Sequence, residues 1–292
     1  MIASQSSRLK IFQSMWGFTG SWDEAVRRAY ESNFNGLEVN LNHGSIANLD
    51  VDRIISTLNS RNLSLIVELT SGGGYVPDLD NNPEQHLEEI ATQLSKARAL
   101  TPQKITLITG SDSWDESVQN KFLEKLLDII DSSELAVSIE THRSRSLFNP
   151  WTIVDRLSRH PRLRLTADLS HWCAVSERLM TPDLEPIKVM AERVDHIHAR
   201  VGHAQGPSVS HPFAPEWSEA LEAHRRCWQL FLNKNTCAGR LNTITPEFGP
   251  DGYMPIQPFT ANPLADIQIL NSEMASWLRS ALVTPEESKS SR

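Results

Sequence analysis

The sequence predicts an α/β protein whose fold is a closed (β/α)8 barrel, and two observations carry this prediction. Eight short apolar stretches that alternate like strands are each followed by a stretch with helical spacing, and no break in composition divides the 292 residues. Strict strand–helix alternation gives a parallel sheet with right-handed crossovers, and eight such units close into the TIM-barrel architecture as a single domain. An open, doubly wound sheet is the alternative, but its glycine-rich nucleotide-binding motif is absent.

The first four strand–helix units are predicted from local signals. The strands are predicted at 9–16, 36–41, 63–69 and 104–109, and the helices at 21–32, 50–59, 83–100 and 117–130. Ser21 and Glu24 have the spacing of a capping box, which marks the start of the first helix. The glycines at 72–74 have no lysine or helix cap behind them, so we interpret them as a flexible lid or turn rather than a phosphate loop.

The last four units follow the same pattern. The strands are predicted at 135–143, 162–168, 195–200 and 241–247, and the helices from 149, around 184–193, at 216–232 and at 263–282. Pro150 suits the first position of its helix. A long excursion at 202–215 is expected to help cover the site, and we divide the chain into a barrel at 1–283 and a polar tail at 284–292.

Composition narrows the classes of function. The hydrophobic share of 39% and the charged share of 22% are those of a globular protein. The net charge of −8, without any run of Lys or Arg, argues against a nucleic-acid groove or an anionic membrane surface as partner. Three cysteines without metal-ligand spacing, a polar N-terminus and no long apolar run predict a soluble, cytoplasmic protein. Assembly into a homo-oligomer is left open.

Polar side chains cluster at the predicted ends of strands five to eight. They are Glu140, His142, Asp168, His171, His196, His198, Arg200 and Glu247. The barrel brings these strand ends to one rim, where three carboxylates would repel each other. One divalent cation held by two Glu, one Asp and one His resolves this repulsion, and such a set of oxygen and nitrogen ligands is typical of Mn²⁺, Mg²⁺ or Co²⁺, with Zn²⁺ and Fe²⁺ also compatible. For strand five alone, a strand-end ion pair is an equal alternative.

The order Glu, Asp-x-x-His, His, Glu on these strands resembles the xylose isomerase-like superfamily of sugar phosphate isomerases and epimerases, which also includes inosose dehydratases and the endonuclease IV type of nuclease. The resemblance covers nearly the whole chain and rests on four stretches. They are Ser138-Ile-Glu140, Thr166-Ala-Asp168-Leu-Ser-His171, His196-Ile-His198 and Thr245-Pro-Glu247. It implies metal ligation by Glu140, Asp168, His198 and Glu247, with Glu140 and Glu247 also forming the proton-transfer pair. The Lys-Asp pair that follows the strand-seven His in dehydratase relatives is replaced here by Ala199-Arg200.

Four further polar residues are candidates for substrate contacts. By the resemblance, His171 touches substrate or a metal-bound water rather than capping a helix. His142 and Arg200 face inward and suit substrate hydroxyls or a carboxylate, with a structural ion pair as the alternative. Glu38 faces inward from strand two, where it would contact either substrate or a ligand of the metal.

Aromatic and basic residues near the strand ends complete the set. Trp16 and Trp114 are expected to form flat apolar walls against a sugar ring, although core packing is the competing interpretation. We interpret His196 as a packed histidine inside the barrel. We interpret Arg143 and Arg145 as surface charges, with binding of an anionic substituent as the alternative.

Four functions compete on this sequence. The first is an isomerase or epimerase acting on a sugar or keto-sugar by proton transfer next to a carbonyl. The second is a lyase or dehydratase that uses the same metal and bases for β-elimination on a keto-sugar or inosose-type substrate. An endonuclease IV-like phosphodiesterase is remote, because strands two and three lack the histidines of a multinuclear zinc site. A catalytically inactive binding barrel is disfavoured by the complete ligand set.

Overall fold

The computed structural model describes residues 9–282, so the predicted tail at 284–292 lies outside the described residues. The eight strands pair in parallel, each with its neighbour in sequence, and β1 pairs with β8 to close the barrel. They are β1 (Lys10–Ser14), β2 (Gly36–Asn40), β3 (Ser64–Thr70), β4 (Lys104–Ile108), β5 (Val137–Glu140), β6 (Leu165–Ala167), β7 (Val194–His198) and β8 (Thr243–Thr245). The predicted closed barrel is confirmed, and all strands except β3 are shorter than predicted.

Helices surround the barrel in the described part of the chain. They are α1 (Trp22–Glu31), α2 (Val51–Asn59), α3 (Pro83–Arg98), α4 (Glu116–Ser133), α5 (Ile153–Arg159), α6 (Leu169–Ser176), α7 (Glu185–Met190), α8 (Ser218–Cys237) and α9 (Ile267–Ala281). Short 3₁₀ turns at Pro150–Thr152 and Pro215–Trp217 lead into α5 and α8. No helix of residues 9–282 combines the length and apolarity that crossing a membrane requires.

Helix α6 was not predicted from the sequence, and it begins at a candidate site residue. Asp168 is its N-cap, and its Oδ1 atom accepts the backbone N–H of Ser170 at 2.9 Å. This eight-residue helix has almost no amphipathic pattern, because Leu169 to Cys173 are all buried. Periodicity therefore carried no signal for it.

Hydrophobic residues fill the space between the barrel and its helices, whereas the inside of the barrel holds many polar side chains beside apolar ones such as Phe12, which packs on His196. Thr106, Ser138 and Thr166 are buried and share hydrogen bonds, including a 2.6 Å contact between the hydroxyls of Ser138 and Thr166. Thr106 also donates to Glu38 Oε1 at 3.0 Å. Interiors of such barrels are usually filled by bulky aliphatic side chains. The hydrogen-bonded interior here lies directly beneath the strand ends that carry the candidate site.

Candidate active site and metal centre

The C-terminal rim of the barrel brings together the four residues proposed as metal ligands. Glu140 ends β5, Asp168 follows β6, His198 ends β7 and Glu247 lies two residues beyond β8. All four side chains are buried, and each offers one ligand atom within 4.8 Å of the others. Four residues that are far apart in sequence thus converge because parallel neighbouring strands end at one rim.

Two atoms of this group that face each other, His198 Nδ1 and Glu140 Oε2, lack hydrogen-bond partners. His198 Nδ1 lies 3.0 Å from Glu247 Oε2 and 3.5 Å from Glu140 Oε2. Neither approach has the alignment of a hydrogen bond, and both His198 Nδ1 and Glu140 Oε2 are buried without a hydrogen-bond partner. Buried polar atoms left this way are costly unless something binds them. The donor set of three carboxylates and one imidazole nitrogen fits a divalent cation.

Arg200 forms a buried ion pair within this group. Its Nη2 atom contacts Asp168 Oδ2, its Nη1 atom lies 3.7 Å from Glu247 Oε2, and its Nε atom donates to Ser170 Oγ at 3.0 Å. The guanidinium also lies 4.5 Å from the ring centroid of Tyr253. Arg200 therefore faces inward as predicted, and in this arrangement its charge is paired with two of the candidate ligands.

Charge and burial oppose each other at the site. Burial alone would lower the pKa of His198, but the charges of Glu247, Glu38 and Glu140 raise it well above its ordinary value. Burial raises the pKa of Glu140 and of Glu247, and the neighbouring carboxylates add to this effect. The site therefore holds more carboxylates than the neighbouring positive charges stabilise. A bound cation would relieve this excess of negative charge.

His142 and His171 form one wall of the site. Their ring centroids are 3.9 Å apart, and His171 Nε2 lies 2.8 Å from Arg200 Nη2, so that this nitrogen accepts a hydrogen bond. The same nitrogen is 3.5 Å from Asp168 Oδ2 and 3.9 Å from Glu140 Oε1. Burial lowers the pKa of both histidines well below the usual range, which keeps their rings neutral at neutral pH.

Glu38 and His196 lie deeper in the barrel, beneath the rim. Glu38 Oε1 is 3.0 Å from His198 Nε2, and Glu38 Oε2 is 3.0 Å from His196 Nε2. His196 Nδ1 is 2.8 Å from the hydroxyl of Thr243. The sequence predicted that Glu38 contacts either substrate or a ligand of the metal, and the structure shows its contact to the candidate ligand His198. His196 is packed inside the barrel, as the sequence predicted.

A small cavity adjoins two of the candidate ligands, Glu140 and Glu247. Its volume is about 10 Å³, which is close to the space that one water molecule needs. Its lining consists of Trp16, Glu68, Tyr75, Ile108, Glu140, His142, Arg200, Glu247 and Tyr253. Trp16 thus lies in the wall of this cavity, and its contact with a substrate stays a prediction.

Trp114 lies apart from this cavity. Its ring packs edge-on against His86 and Phe122, with centroids 5.0 Å away in each case, and it lines a separate groove at the N-terminal ends of α3 and α4. Gln119 donates to the carbonyl oxygens of Ser111 and Trp114 and holds the turn in this position. The structure therefore does not bring Trp114 to the mouth of the barrel.

Four lining residues, Glu68, Tyr75, Ile108 and Tyr253, were not predicted as part of the site. Tyr75 belongs to the loop after β3 and Tyr253 to the loop after β8, while Glu68 lies within β3 and accepts a 2.8 Å hydrogen bond from Asn40. Burial and the charge of Glu247 raise the pKa of Glu68. The inward position of Glu68 on its strand could have identified it from the sequence, whereas no local sequence pattern identifies Tyr75 and Tyr253.

Arg145 corrects one interpretation of the sequence, because it is fully buried rather than a surface charge. Its guanidinium donates to the carbonyl oxygens of Ser71, Gly74, Tyr75 and Gly110. The glycine-rich loop at 72–74 is therefore anchored from the loop after β5.

Comparisons by sequence find nothing, and comparisons by structure find the fold. No protein-family model matches the chain, and no curated protein matches its sequence. The probable 3-DHS dehydratase AsbF of Bacillus anthracis matches with a TM-score of 0.62 at 14% identity, over 93% of this chain and 98% of its own. A xylose isomerase-like TIM barrel protein of Mycobacterium smegmatis, solved in complex with magnesium, matches with a TM-score of 0.61 at 15% identity, over 94% and 98% of the two chains.

A sugar epimerase has the same architecture. The D-allulose 3-epimerase of Methylomonas sp., solved in complex with D-allulose, matches with a TM-score of 0.61 at 13% identity, over 94% of this chain and 97% of its own. At these identities, the likeness concerns the fold alone. It confirms the predicted resemblance to xylose isomerase-like TIM barrel proteins at that level.

Proposed function

We propose that the protein is a metal-dependent isomerase or epimerase that transfers a proton next to a carbonyl group of a sugar or keto-sugar. The observation that carries the proposal is the buried convergence of Glu140, Asp168, His198 and Glu247 at the mouth of the barrel. The shared fold with an epimerase solved in complex with D-allulose supports the choice of substrate class. One divalent ion, of the Mn²⁺, Mg²⁺ or Co²⁺ type, is the proposed cofactor.

The four residues would hold the ion, which supplies a Lewis acid for the negative charge that develops on a substrate oxygen. Glu140 and Glu247 project from strands five and eight into one cavity. Each presents a carboxylate whose pKa is raised by burial, a property that brings a carboxylate closer to the pKa useful for accepting and returning a proton near neutral pH. One of them removes the proton next to the carbonyl, and the other returns a proton on the same or the opposite face.

Neighbouring residues orient the substrate and exclude water. The neutral rings of His142 and His171 offer hydrogen bonds to hydroxyl groups, and Trp16 gives a flat apolar wall. A cavity of about 10 Å³ is too small for a sugar, so substrate entry requires Tyr75 and Tyr253 to move outward. Both tyrosines belong to loops, which can rearrange without disturbing the barrel.

A lyase that eliminates a β-substituent is the second candidate function. The 3-DHS dehydratase that shares the fold supports it, as does the charge of Arg200 at the mouth, which suits a substrate carboxylate. The same base would remove the proton, and a neighbouring acid would assist departure of a hydroxyl group as water.

Solvent isotope exchange tests the chemistry. Metal-loaded protein is incubated in D₂O with ketoses, including D-allulose and its C3 epimer, and with 3-dehydroshikimate, and the products are followed by NMR and mass spectrometry. Deuterium next to the carbonyl in recovered substrate or in an epimer supports the proposal, whereas loss of water to an unsaturated product supports the lyase.

Matched variants tie the exchange to the proposed residues. Glu140→Gln and Glu247→Gln keep the side-chain size but remove the base, and each is expected to lower the rate about 10²- to 10⁴-fold. Glu134→Gln at the C-terminal end of α4 neutralises an exposed carboxylate and serves as the control. Wild-type rates in Glu247→Gln, or no exchange into any substrate, contradict the mechanism.

A further inference from the structure

The interior of the barrel contains a carboxylate that two histidines share. Glu38 accepts contacts of 3.0 Å from His198 Nε2 on one oxygen and from His196 Nε2 on the other. Thr106 donates its hydroxyl to the same oxygen that faces His198. Glu38 is buried, so every polar atom around it must find its partner within this network.

The chemistry of this network defines the side of the His198 ring on which the lone pair lies. An ionised carboxylate can only accept hydrogen bonds, so the Nε2 atom of each histidine must carry the proton. With Nε2 protonated and directed at Glu38, the neutral ring of His198 has its lone pair on Nδ1. That atom is the one that lies 3.0 Å from Glu247 Oε2 and 3.5 Å from Glu140 Oε2.

We propose that Glu38 is a positioning residue, which fixes the tautomer and ring orientation of His198 so that Nδ1 is the ligand atom of the metal centre. The inference rests on the metal centre of the proposed function and adds to it a residue that would not touch the ion. A carboxylate on the far nitrogen of a ligating histidine raises the basicity of the near nitrogen and holds the ring in place.

His196 completes the arrangement from below. Its Nε2 atom contacts Glu38 Oε2 and the hydroxyl of Thr245 at 3.1 Å, and its Nδ1 atom contacts the hydroxyl of Thr243. It therefore holds the second oxygen of Glu38, which stops the carboxylate from rotating away from His198. In this reading, His196 supports Glu38 and takes no part in ligating the ion.

Binding of Mn²⁺, measured by isothermal titration calorimetry, gives the first test. Glu38→Gln keeps the size but provides only one acceptor oxygen for two N–H donors, and Glu38→Ala provides none. Loss of such a supporting carboxylate is expected to weaken Mn²⁺ binding about 10-fold in Glu38→Gln and about 100-fold in Glu38→Ala. Glu38→Gln remains informative if the alanine variant does not fold.

Asp195→Asn is the matched control, because it removes a carboxylate from the strand that carries His198, where Asp195 pairs with Arg164 and has no contact to His198 in the described structure. A loss of affinity in Asp195→Asn as large as that in Glu38→Gln would mean that charge alone acts, and it would overturn the inference. Bound Mn²⁺ with wild-type affinity in both Glu38 variants would overturn it as well. No Mn²⁺ binding in the wild-type protein would instead refute the metal centre itself, and this inference with it.

A spectroscopic measurement reads the tautomer directly. In Mg²⁺-loaded protein labelled with ¹⁵N-histidine, the His198 ring is expected to show a protonated Nε2 and an unprotonated Nδ1, with the signals assigned by His198→Gln. Glu38→Gln should speed exchange of that Nε2 proton with solvent, and Asp195→Asn should not. A protonated Nδ1 in the wild-type ring contradicts the proposal.

Discussion

Arg145 donates a hydrogen bond of 2.9 Å to the carbonyl oxygen of Tyr75, which ties the loop after β5 to the loop that covers the site. The same guanidinium donates to the carbonyl oxygens of Ser71, Gly74 and Gly110. Burial lowers the pKa of Arg145 to about 10, so the group stays charged at neutral pH. One buried cation thus organises the turn that brings Tyr75 over the site.

Arg145→Met is expected to release this loop. The variant leaves buried carbonyl oxygens without donors, which costs about 2–4 kcal/mol of the free energy of unfolding. Hydrogen–deuterium exchange should accelerate at residues 72–79, with little change in the strands of the barrel. Arg143→Met, which removes a nearby charge that packs on Tyr253, is the control and should leave exchange in this loop unchanged. Equal effects in the two variants would contradict the anchoring role.

The burial of Arg145 shows where inference from the sequence ends. A basic residue in a loop is most often exposed, and its partners here are backbone carbonyls of the loop after β3 and of Gly110. Every residue has a main-chain carbonyl, so no residue type in the sequence indicates that these groups are the acceptors. The inward alternation of β5 and β7, by contrast, follows from the geometry of any strand, so Glu140 and His198 could be placed from the sequence.

His86 is expected to make the protein less stable in mild acid. Its Nδ1 atom lies 2.9 Å from the hydroxyl of Ser71, its Nε2 atom is buried without a partner, and burial lowers the pKa of the ring to about 4. The unfolded chain, with an ordinary histidine pKa, binds more protons between pH 6.5 and 4. The free energy of unfolding therefore falls as the pH drops through this window. The loss is about 3 kcal/mol in total and is reached in full below pH 4.

Chemical denaturation of wild-type protein and of His86→Asn at a series of pH values measures this contribution. The difference in the free energy of unfolding between the two proteins should change between pH 6.5 and 4, in the sense that acid penalises the wild type more. Parallel curves for the two proteins across this range would show that His86 does not carry the effect.

Two carboxylates of the candidate metal centre are expected to respond differently to removal. Asp168 is the nearer of the two carboxylates paired with buried Arg200, so Asp168→Asn leaves that charge with Glu247 alone at 3.7 Å and should cost up to about 3–5 kcal/mol without metal. Glu140 has an unpartnered oxygen and a pKa raised by burial, so Glu140→Gln should leave the metal-free protein equally stable or more stable.

Added Mn²⁺ distinguishes ligand loss from loss of fold. The wild-type protein should gain about 2.7 kcal/mol at a metal concentration of 100 Kd, seen as a rise in Tm, and both variants should gain far less. Differential scanning fluorimetry with and without a chelator gives the comparison. An equal rise in Tm for the wild type and both variants would remove Asp168 and Glu140 from the ligand set.

The sequence predicts the fold better than it predicts which residues line the mouth of the barrel. Strand β8 has three residues and β6 has three, yet both were found because their units repeat the alternation of the others. Helix α6 was missed since its first five residues are all buried and it shows almost no amphipathic pattern. Trp114 was expected at the mouth on its position after β4, but the direction of its ring depends on Gln119 and on packing against Phe122, which only the folded chain defines.

Gly249→Ala is expected to displace Trp16 from the wall of the site. A Cβ atom at Gly249 would lie 2.0 Å from Trp16 Cε3, so the indole ring must shift. The ring is held by a 3.1 Å hydrogen bond from Nε1 to Asp251 and by edge-on packing on Tyr253 at 4.9 Å, so a shift disturbs the whole wall. We expect a loss of about 1–3 kcal/mol in stability and an altered near-ultraviolet circular dichroism spectrum. Gly44→Ala is the control, because nothing lies within 4 Å of the added atom.

In a Trp16→Ala background the Gly249→Ala substitution should cost little, since the steric conflict is gone, and the difference between the two costs measures the contact. An unchanged cost in that background would place the origin of the effect in the backbone of the loop after β8 rather than in the packing of Trp16.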